Sequence, residues 1–384
     1  MAKPISFFVH HQGRGHAQRT MAIVRELPAS QPVSVLTADP SLFDGFERDI
    51  EIVPLPNMIG APVPTPALYD QPTPAVMHCV PLGLAPMRQT MRRILDHLDD
   101  RGTGLFVIDV SAELALLARI ASVPAIKIRM HGNRSDAGHT AAYDACTGML
   151  APFDARLEQP DYPDWARAKT FYSGGLCTSS QRRDDRAEAR RALGLPAERE
   201  LVVAITGGGG AGTPYAPLTM AARAAPDTLF VTVGPLHREG HETDFANLVN
   251  HGWVSHTSDY IAAADIVIAS AGDNTVHEIM RTGRPYICAP EWRYFDEQQR
   301  KAESLAAVGA AIHLPRWPGD LEGWRDLLER ARALDIECQR GLHDPHAAAR
   351  AAGWLMSRMD TLWQEETRQG HRAAPQVSIA ATGT

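Results

Sequence analysis

Nowhere in its 384 residues does the chain hold the run of roughly 18 to 20 apolar residues that a bilayer crossing needs. A secretory leader is not expected: the apolar stretch Ile5 to Val9 is too brief for a signal core, leads straight into histidines and reads as a first buried strand. Cysteine is sparse and odd in number. Cys79, Cys146, Cys177, Cys288 and Cys338 are scattered with no Cys-x-x-Cys pair, which speaks against a disulfide framework, a zinc ribbon or a redox couple. Lysine is confined to Lys3, Lys127, Lys169 and Lys301, and the formal net charge is -7. No basic field exists to attract a polyanion, so nucleic acid is not an expected partner. Together these absences describe a soluble, cytoplasmic protein.

What is present is enough for two ordinary cores, since 384 residues with 44% apolar content exceed what one domain usually organises. Short apolar runs bounded by Gly and Pro alternate with Ala-, Leu- and Arg-rich segments of helical period, the signature of βαβ units. Strands are expected at Ile5 to Val9, Val33 to Leu36, Ile50 to Val53, Leu105 to Ile108 and Ala125 to Ile128, and helices at His16 to Leu27, Pro86 to Leu98 and Ala112 to Ile120. Between Pro54 and Pro86 prolines recur so densely that a long loop is expected, and such loops are commonly functional.

A second series follows the polar, arginine-rich connector Gln181 to Glu200, with strands at Leu201 to Ile205, Leu229 to Val233, Ile266 to Ile268 and Pro285 to Ala289. The pattern predicts an α/β chain of two Rossmann-like domains facing one another across a cleft, with ligands at the carboxyl ends of the strands. The expected boundaries are 1–172, 173–345, a helical segment 346–371 that crosses back to the first domain, and a disordered tail 372–384.

Chemistry concentrates after three strands. Ser270-Ala271-Gly272-Asp273-Asn274-Thr275-Val276-His277-Glu278 follows an apolar strand and turns through a glycine into a helix, whose unpaired N–H groups and dipole suit an anion. Glu278, about one turn in, can accept hydrogen bonds from a ribose diol or can be an ordinary solvated helix residue. The run Thr206 to Gly212, with Gly207, Gly208 and Gly209, can cradle a phosphate or simply let two domains approach closely.

In the first half, His11-Gln12-Gly13-Arg14-Gly15-His16 opens a helix after the first strand. A histidine there is disfavoured in its protonated form by the dipole, so His16 is either a neutral base near pH 7 or a packed or capping ring. Asp109, at the end of Leu105 to Ile108, either backs that imidazole or caps the helix that follows. Strand alternation puts His10 and His11 on opposite sides of the chain, which argues against a His10, His11 and His16 metal site.

These strings resemble GT-B glycosyltransferases. Gly272, Asn274, Thr275 and Glu278 are similar to the donor-binding core of the family 1 nucleotide-sugar glycosyltransferases, and the segment as a whole looks closer to that of the family 28 lipid II N-acetylglucosaminyltransferase type. Ser270 stands where family 1 has a phosphate-binding histidine, and the peptidoglycan-type enzymes also use a serine. Phe295-Asp296-Glu297-Gln298 with Ala302 resembles the element that grips the transferred sugar, with Glu297 at the aspartate position and Lys301 at the asparagine position. Gly252-Trp253-Val254 resembles the base-binding element, where Trp253 either stacks on the nucleobase or packs. The glycine run sits where these families have a loop that meets the donor. The Gly13, Gly15 and His16 string resembles the family 1 Gln-Gly-His, whose histidine deprotonates the acceptor with an aspartate behind it; Asp109 takes that place.

The resemblance implies the GT-B fold and an inverting transferase that moves a sugar from a nucleotide diphosphate sugar, UDP first and dTDP next, to an acceptor hydroxyl deprotonated by His16. Asp-x-Asp, the spacing with which metal-dependent transferases hold a divalent cation, is missing, so no metal and no cofactor is expected and the helix end at Gly272 would take the leaving diphosphate. Alternatives on the same architecture are a nucleotide-sugar hydrolase, a UDP-sugar 2-epimerase and a non-catalytic sugar-nucleotide binding protein. The acceptor is open, with peripheral membrane contact expected only if it is a lipid carrier.

Overall fold

The computed structural model describes residues 2–58, 60–176, 183–207 and 212–364. Gly208, Gly209 and the tail 372–384 lie outside the described residues. In the first half β1 (Ile5–Phe8), β2 (Val33–Thr37), β3 (Glu51–Pro54), β4 (Leu105–Ile108), β5 (Ala125–Ile128), β6 (Gly148–Ala151) and β7 (Thr170–Tyr172) form one parallel sheet in the order 3-2-1-4-5-6-7. The second half holds β8 (Leu201–Ile205), β9 (Thr213–Pro214), β10 (Leu229–Val233), β11 (Leu236–His237), β12 (Leu248–Gly252), β13 (Ile266–Ala269), β14 (Tyr286–Cys288) and β15 (Ile312–His313). There β9 pairs with β11, and the others form a parallel sheet in the order 12-10-8-13-14-15.

Both sheets are covered on both faces, which is why their central strands are apolar throughout instead of alternating. Ile5, Phe7 and Val9 enter one core and Phe8 with Leu36 another; Leu201, Val203 and Ile205 are likewise divided from Val202 and Ala204. Ser6, buried in the middle of β1, is satisfied by the hydroxyls of Ser34 at 2.8 Å and Thr103 at 2.9 Å. The closing helix Ala347–Trp363 buries Ala351, Leu355 and Met359 in the first sheet's core. Its Trp354 stacks on Phe171, and its Trp363 donates to the Gly104 carbonyl at 2.8 Å.

Some elements differ from the pattern reading. β6 and β7 were not read because Gly-Met-Leu-Ala and Thr-Phe-Tyr are short and carry neither clear alternation nor a β-branched run. The connector contains a helix, Arg186–Leu193, whose N-cap Asp185 accepts from the Glu188 N–H at 2.7 Å and whose C-cap Gly194 is left-handed. Within the proline-dense stretch the described residues form one short helix, Pro66–Tyr69, before the helix Ala85–Asp100 begins.

Candidate active site

In each sheet the strand order reverses at one place, and a crevice opens there at the carboxyl ends. In the first sheet the reversal lies between β1 and β4, whose ends are in register at Phe8 and Ile108. His16 comes from the helix Arg14–Glu26 after β1, and Asp109 directly follows β4. The chain turns into that helix through Gly13, whose φ of 83° is costly for any residue with a side chain. His16 Nδ1 lies 2.7 Å from Asp109 Oδ2, with the carboxylate buried and the ring partly open.

Asp109 does not cap the next helix. Ser111 does, accepting from the Leu114 N–H at 3.3 Å, and Val110 between them has a φ of 66°, an uncommon conformation for a β-branched residue.

One turn along from His16 on the same helix face stands Arg19, which the sequence reading missed although the i, i+3 spacing was visible. Its Nη2 donates to both Asp109 oxygens, at 3.0 and 3.1 Å, and its Nη1 donates to Asp273 of the other domain at 3.0 Å. Lys301 also pairs with Asp273. Arg19 Nη2 is 3.1 Å from His16 Nδ1 as well, but a ring nitrogen that donates to Asp109 cannot also accept from Arg19. The shorter contact to the carboxylate therefore assigns the proton to Nδ1 and leaves Nε2 as the acceptor. Burial pushes the Asp109 carboxyl up, but the Arg19 guanidinium and His16 outweigh it and hold the group well below the usual carboxylate range. For Asp273, burial is likewise outweighed, here by Lys301 and Arg19.

The second sheet reverses between β8 and β13, in register at Ile205 and Ala269. Thr206 follows one and Ser270 the other, and both line a cavity of about 1260 Å³ together with Gly13, His16 and Val110 of the first domain. Glu297 lines it too, paired with Arg134 of the first domain at 2.7 Å. Arg134, His78, Trp292 and Tyr294, also on this lining, carried no readable signal; the first two lie in the parts of the chain that matched no motif. Near this rim the Asn133 N–H donates to the Phe295 carbonyl at 2.6 Å, and Phe295 and Asp296 both take positive φ. Gly132 makes that approach possible, since a Cβ there would lie 2.8 Å from the Phe295 oxygen.

Other residues expected at the donor end are placed differently. Gly272 is the N-cap of the helix Asp273–Thr282, uncapped by any side chain, but neither it nor Asn274 nor Thr275 lines the cavity. Asn274 donates to Gln18 across the domains, and a Cβ added at Gly15 would lie 3.7 Å from the Asn274 amide nitrogen. Glu278 is buried and paired with Arg281 at 3.2 Å instead of facing the cavity, because its helix turns that face toward Arg281 and Asp184. Gln298 is buried and spends its Oε1 on the Ala271 and Glu291 N–H groups, at 3.2 and 2.8 Å. Trp253 is 70% exposed and off the cavity, while Val254 packs on the core. Gly207 faces open space. His10 and His11 do not point apart: β1 ends at Phe8, so alternation no longer applies, and their rings stack with centroids 5.3 Å apart.

Comparison with known proteins agrees with this layout. The profile of the glycosyltransferase family 28 C-terminal domain matches residues 221–316. A UDP-N-acetylglucosamine--N-acetylmuramyl-(pentapeptide) pyrophosphoryl-undecaprenol N-acetylglucosamine transferase of Corynebacterium jeikeium is 23% identical over 315 residues, covering 78% of this chain and 80% of that protein. The protein of the same description from Cutibacterium acnes is 31% identical over 196 residues, covering 47% and 52%. Among solved structures, Acinetobacter baumannii MurG superposes with a TM-score of 0.61 at 16% identity over 92% of this chain and 99% of that one. A Polygonum tinctorium UDP-glucosyltransferase gives 0.66 at 12% identity over 93% and 99%.

The chain has the GT-B fold, two Rossmann-like domains, that these solved glycosyltransferases share. The stretch similar to the family 28 C-terminal domain lies in the second domain and spans Trp253, Ser270 to Glu278, Glu297 and Gln298. Among the described residues no helix is long and apolar enough to cross a membrane.

Proposed function

We propose that the chain transfers a sugar, with inversion and without a metal on the diphosphate, from a nucleotide diphosphate sugar to an acceptor hydroxyl that His16 deprotonates. The observation that carries this reading is that one cavity is bounded at the first switch point by His16, with Asp109 bonded behind it, and at the second by Thr206 and Ser270. Nε2 of His16 takes the acceptor proton while Nδ1–H stays on Asp109, which remains ionised and stabilises the imidazolium. The freed oxygen attacks the anomeric carbon in line and the diphosphate leaves toward Thr206 and Ser270, at the turns after β8 and β13 that line the cavity.

Arg19 acts through others. By clamping Asp109 and reaching Asp273 it ties the base to the donor helix, so it is a positioning residue and not a proton carrier. UDP is the first nucleotide to test and dTDP the second, and the relatives' descriptions make UDP-N-acetylglucosamine the first donor. The acceptor side draws on Gly13, Val110, His78 and Arg134.

UDP binding measured by calorimetry should be the same in EDTA as in magnesium, and UDP-N-acetylglucosamine turnover followed by product analysis should yield a glycoside once an acceptor is supplied. Strict dependence of donor binding on a divalent cation would sink the metal-free mechanism. Release of free sugar alone, whatever acceptor is present, would turn the reading into a hydrolase.

A further inference from the structure

We propose that His78, Asp136 and His139 form a binding site for a transition-metal ion of the zinc type, on the acceptor side of the cleft. One ligand atom from each lies within 4.8 Å of the other two. Asp136 is the N-cap of the helix Ala137–Ala145 and His139 stands three residues on, a spacing that stacks both side chains on one face. Asp136 Oδ1 accepts the His139 backbone N–H at 3.1 Å, which leaves Oδ2 free to lie 2.6 Å from His139 Nδ1.

His78 is delivered by the proline-dense segment and is held without help from the cluster. Glu113 Oε1 accepts the backbone N–H groups of His78 and Cys79, at 3.0 and 2.6 Å. Gly138 lets this backbone sit on the helix, because a Cβ there would lie 2.8 Å from His78 N and Met77 C. The His78 ring centroid is then 4.6 Å from that of His139, and Phe295 of the second domain walls both rings at 5.1 and 4.9 Å.

Two imidazoles and a carboxylate suit zinc, cobalt or nickel; magnesium and calcium prefer oxygen alone. Zinc ligands lie about 2.0 to 2.2 Å from the ion, so neighbouring ligands in a tetrahedron stand roughly 3.3 Å apart. The Asp136 and His139 atoms are already nearer than that, and the exposed His78 ring reaches the ion by rotating about its side-chain bonds. The ion displaces the proton shared by Nδ1 and Oδ2. His139 is buried while His78 and Asp136 are exposed, and His78 lines the cavity, so the remaining position opens to solvent on that side. Bound metal would fasten the proline-dense segment to the helix and so fix one wall of the acceptor space. It uses none of the side chains assigned to the diphosphate.

Calorimetry of the EDTA-stripped full chain against zinc chloride, with no nucleotide present, should show one site per chain with a dissociation constant of about a micromolar or tighter. His78→Ala, at an exposed position that leaves the fold intact, and Asp136→Asn should each weaken zinc by at least about tenfold. Cobalt should give the visible absorption of a four-coordinate nitrogen and oxygen site, lost in His78→Ala. Hydrogen exchange over residues 76–80 should slow with zinc in the native chain and not in that variant.

Zinc binding that survives both substitutions, or that is lost in a His10→Ala/His11→Ala variant instead, would overturn the assignment, as would no binding at about a hundred times that concentration. Because every readout is taken without a sugar nucleotide, failure here leaves the transferase reading untouched.

Discussion

At the first switch point the cleft meets the His16 side chain, with Asp109 and Arg19 buried behind it and the three bonded within about 3 Å of one another. At the second it meets small residues in turns, Thr206 and Gly212 after β8 and Ser270 after β13. On the proposed function, the same topology serves proton transfer in one domain and anion binding in the other. A base needs a lone pair at one defined point with a partner behind it, which only a side chain supplies. A leaving diphosphate needs several donors spread over its oxygens, which a turn and a helix end supply without any side chain at all. Arg19 to Asp273 is where the two sites touch.

The sharpest way to break this division is at the base. His16→Ala should lower the turnover number by about 10²- to 10⁴-fold and leave UDP affinity nearly unchanged, because general-base assistance is of that size and the donor is held elsewhere. Asp109→Ala should lower it by less, and the double variant should fall well short of the product of the two losses, as expected for residues that act as one unit. Steady-state kinetics beside UDP calorimetry settles it. Near-full activity in His16→Ala would assign the base to another group.

Next in size is the contact between the two sites. Arg19→Met strips the buried cation from Asp109 and leaves Asp273 with Lys301 alone, so urea unfolding should show a loss of about 3 to 5 kcal/mol, the usual consequence of breaking one side of a buried pair. Arg19→Lys should recover only part of it, since an ammonium cannot span two carboxylates as a guanidinium does. Adding Asp273→Asn to Arg19→Met should bring a smaller further loss than Asp273→Asn does alone. Strict additivity would mean that Arg19 does not couple the domains.

How far each site was readable in the sequence follows from the same division. The His16 and Asp109 side chains were visible, because a glycine-flanked histidine after one strand and an aspartate after another are residue-type signals that the sheet order then brings together. Strands such as Leu105–Ile108 and Leu201–Ile205 were readable for a related reason: buried on both faces, they spell continuous apolar runs. At the donor end the signal was the turn itself. Which way each later side chain faces depends on helix packing, so Gln298 was read as a sugar ligand and is found holding the Ala271 and Glu291 backbone. Arg134 and His78 lie in segments whose positions are set by cross-domain contacts and by Glu113, contacts that no local pattern encodes.

A smaller effect separates the two ends by pH. His277, buried in the donor helix, is pushed down to about 4 by burial, with Lys301 adding to the shift against the opposing pull of Asp273. The folded chain therefore keeps this ring neutral where the unfolded chain protonates it near pH 6.5. Stability should be full above that value and fall as the pH drops from about 6.5 toward 4, by about 3 kcal/mol at most for this one group. Asp109 and Asp273, held below the usual carboxylate range, act in a separate window: their contribution is present above about pH 4 and is lost only below it. Urea midpoints measured across pH 3 to 8 should show His277→Asn flattening the upper limb alone. An unchanged limb would mean that the ring is not neutral in the fold.

The last test concerns Glu278, where the donor-site reading and the observed pairing pull apart. As a ribose ligand, Glu278 would lose a charged hydrogen bond on truncation, so Glu278→Ala should weaken UDP by about 1 to 3 kcal/mol. As a purely structural partner of Arg281, it would on truncation lower stability and leave the dissociation constant where it was. We expect the first outcome, because Arg281 has a second carboxylate in Asp184 and can release Glu278 to a nucleotide that enters beside the helix start. Arg281→Ala is the discriminating partner variant. Freed of its arginine, Glu278 should bind UDP at least as well as before if it serves the ribose, whereas both variants should behave alike, less stable with native UDP affinity, if the pair is only structural. Trp253→Ala calibrates the scale: the indole is 70% exposed and off the cavity, so its removal should change UDP binding by less than about 0.5 kcal/mol. A larger loss at Trp253 than at Glu278 would move the nucleobase onto that tryptophan and take the ribose contact away from the donor helix.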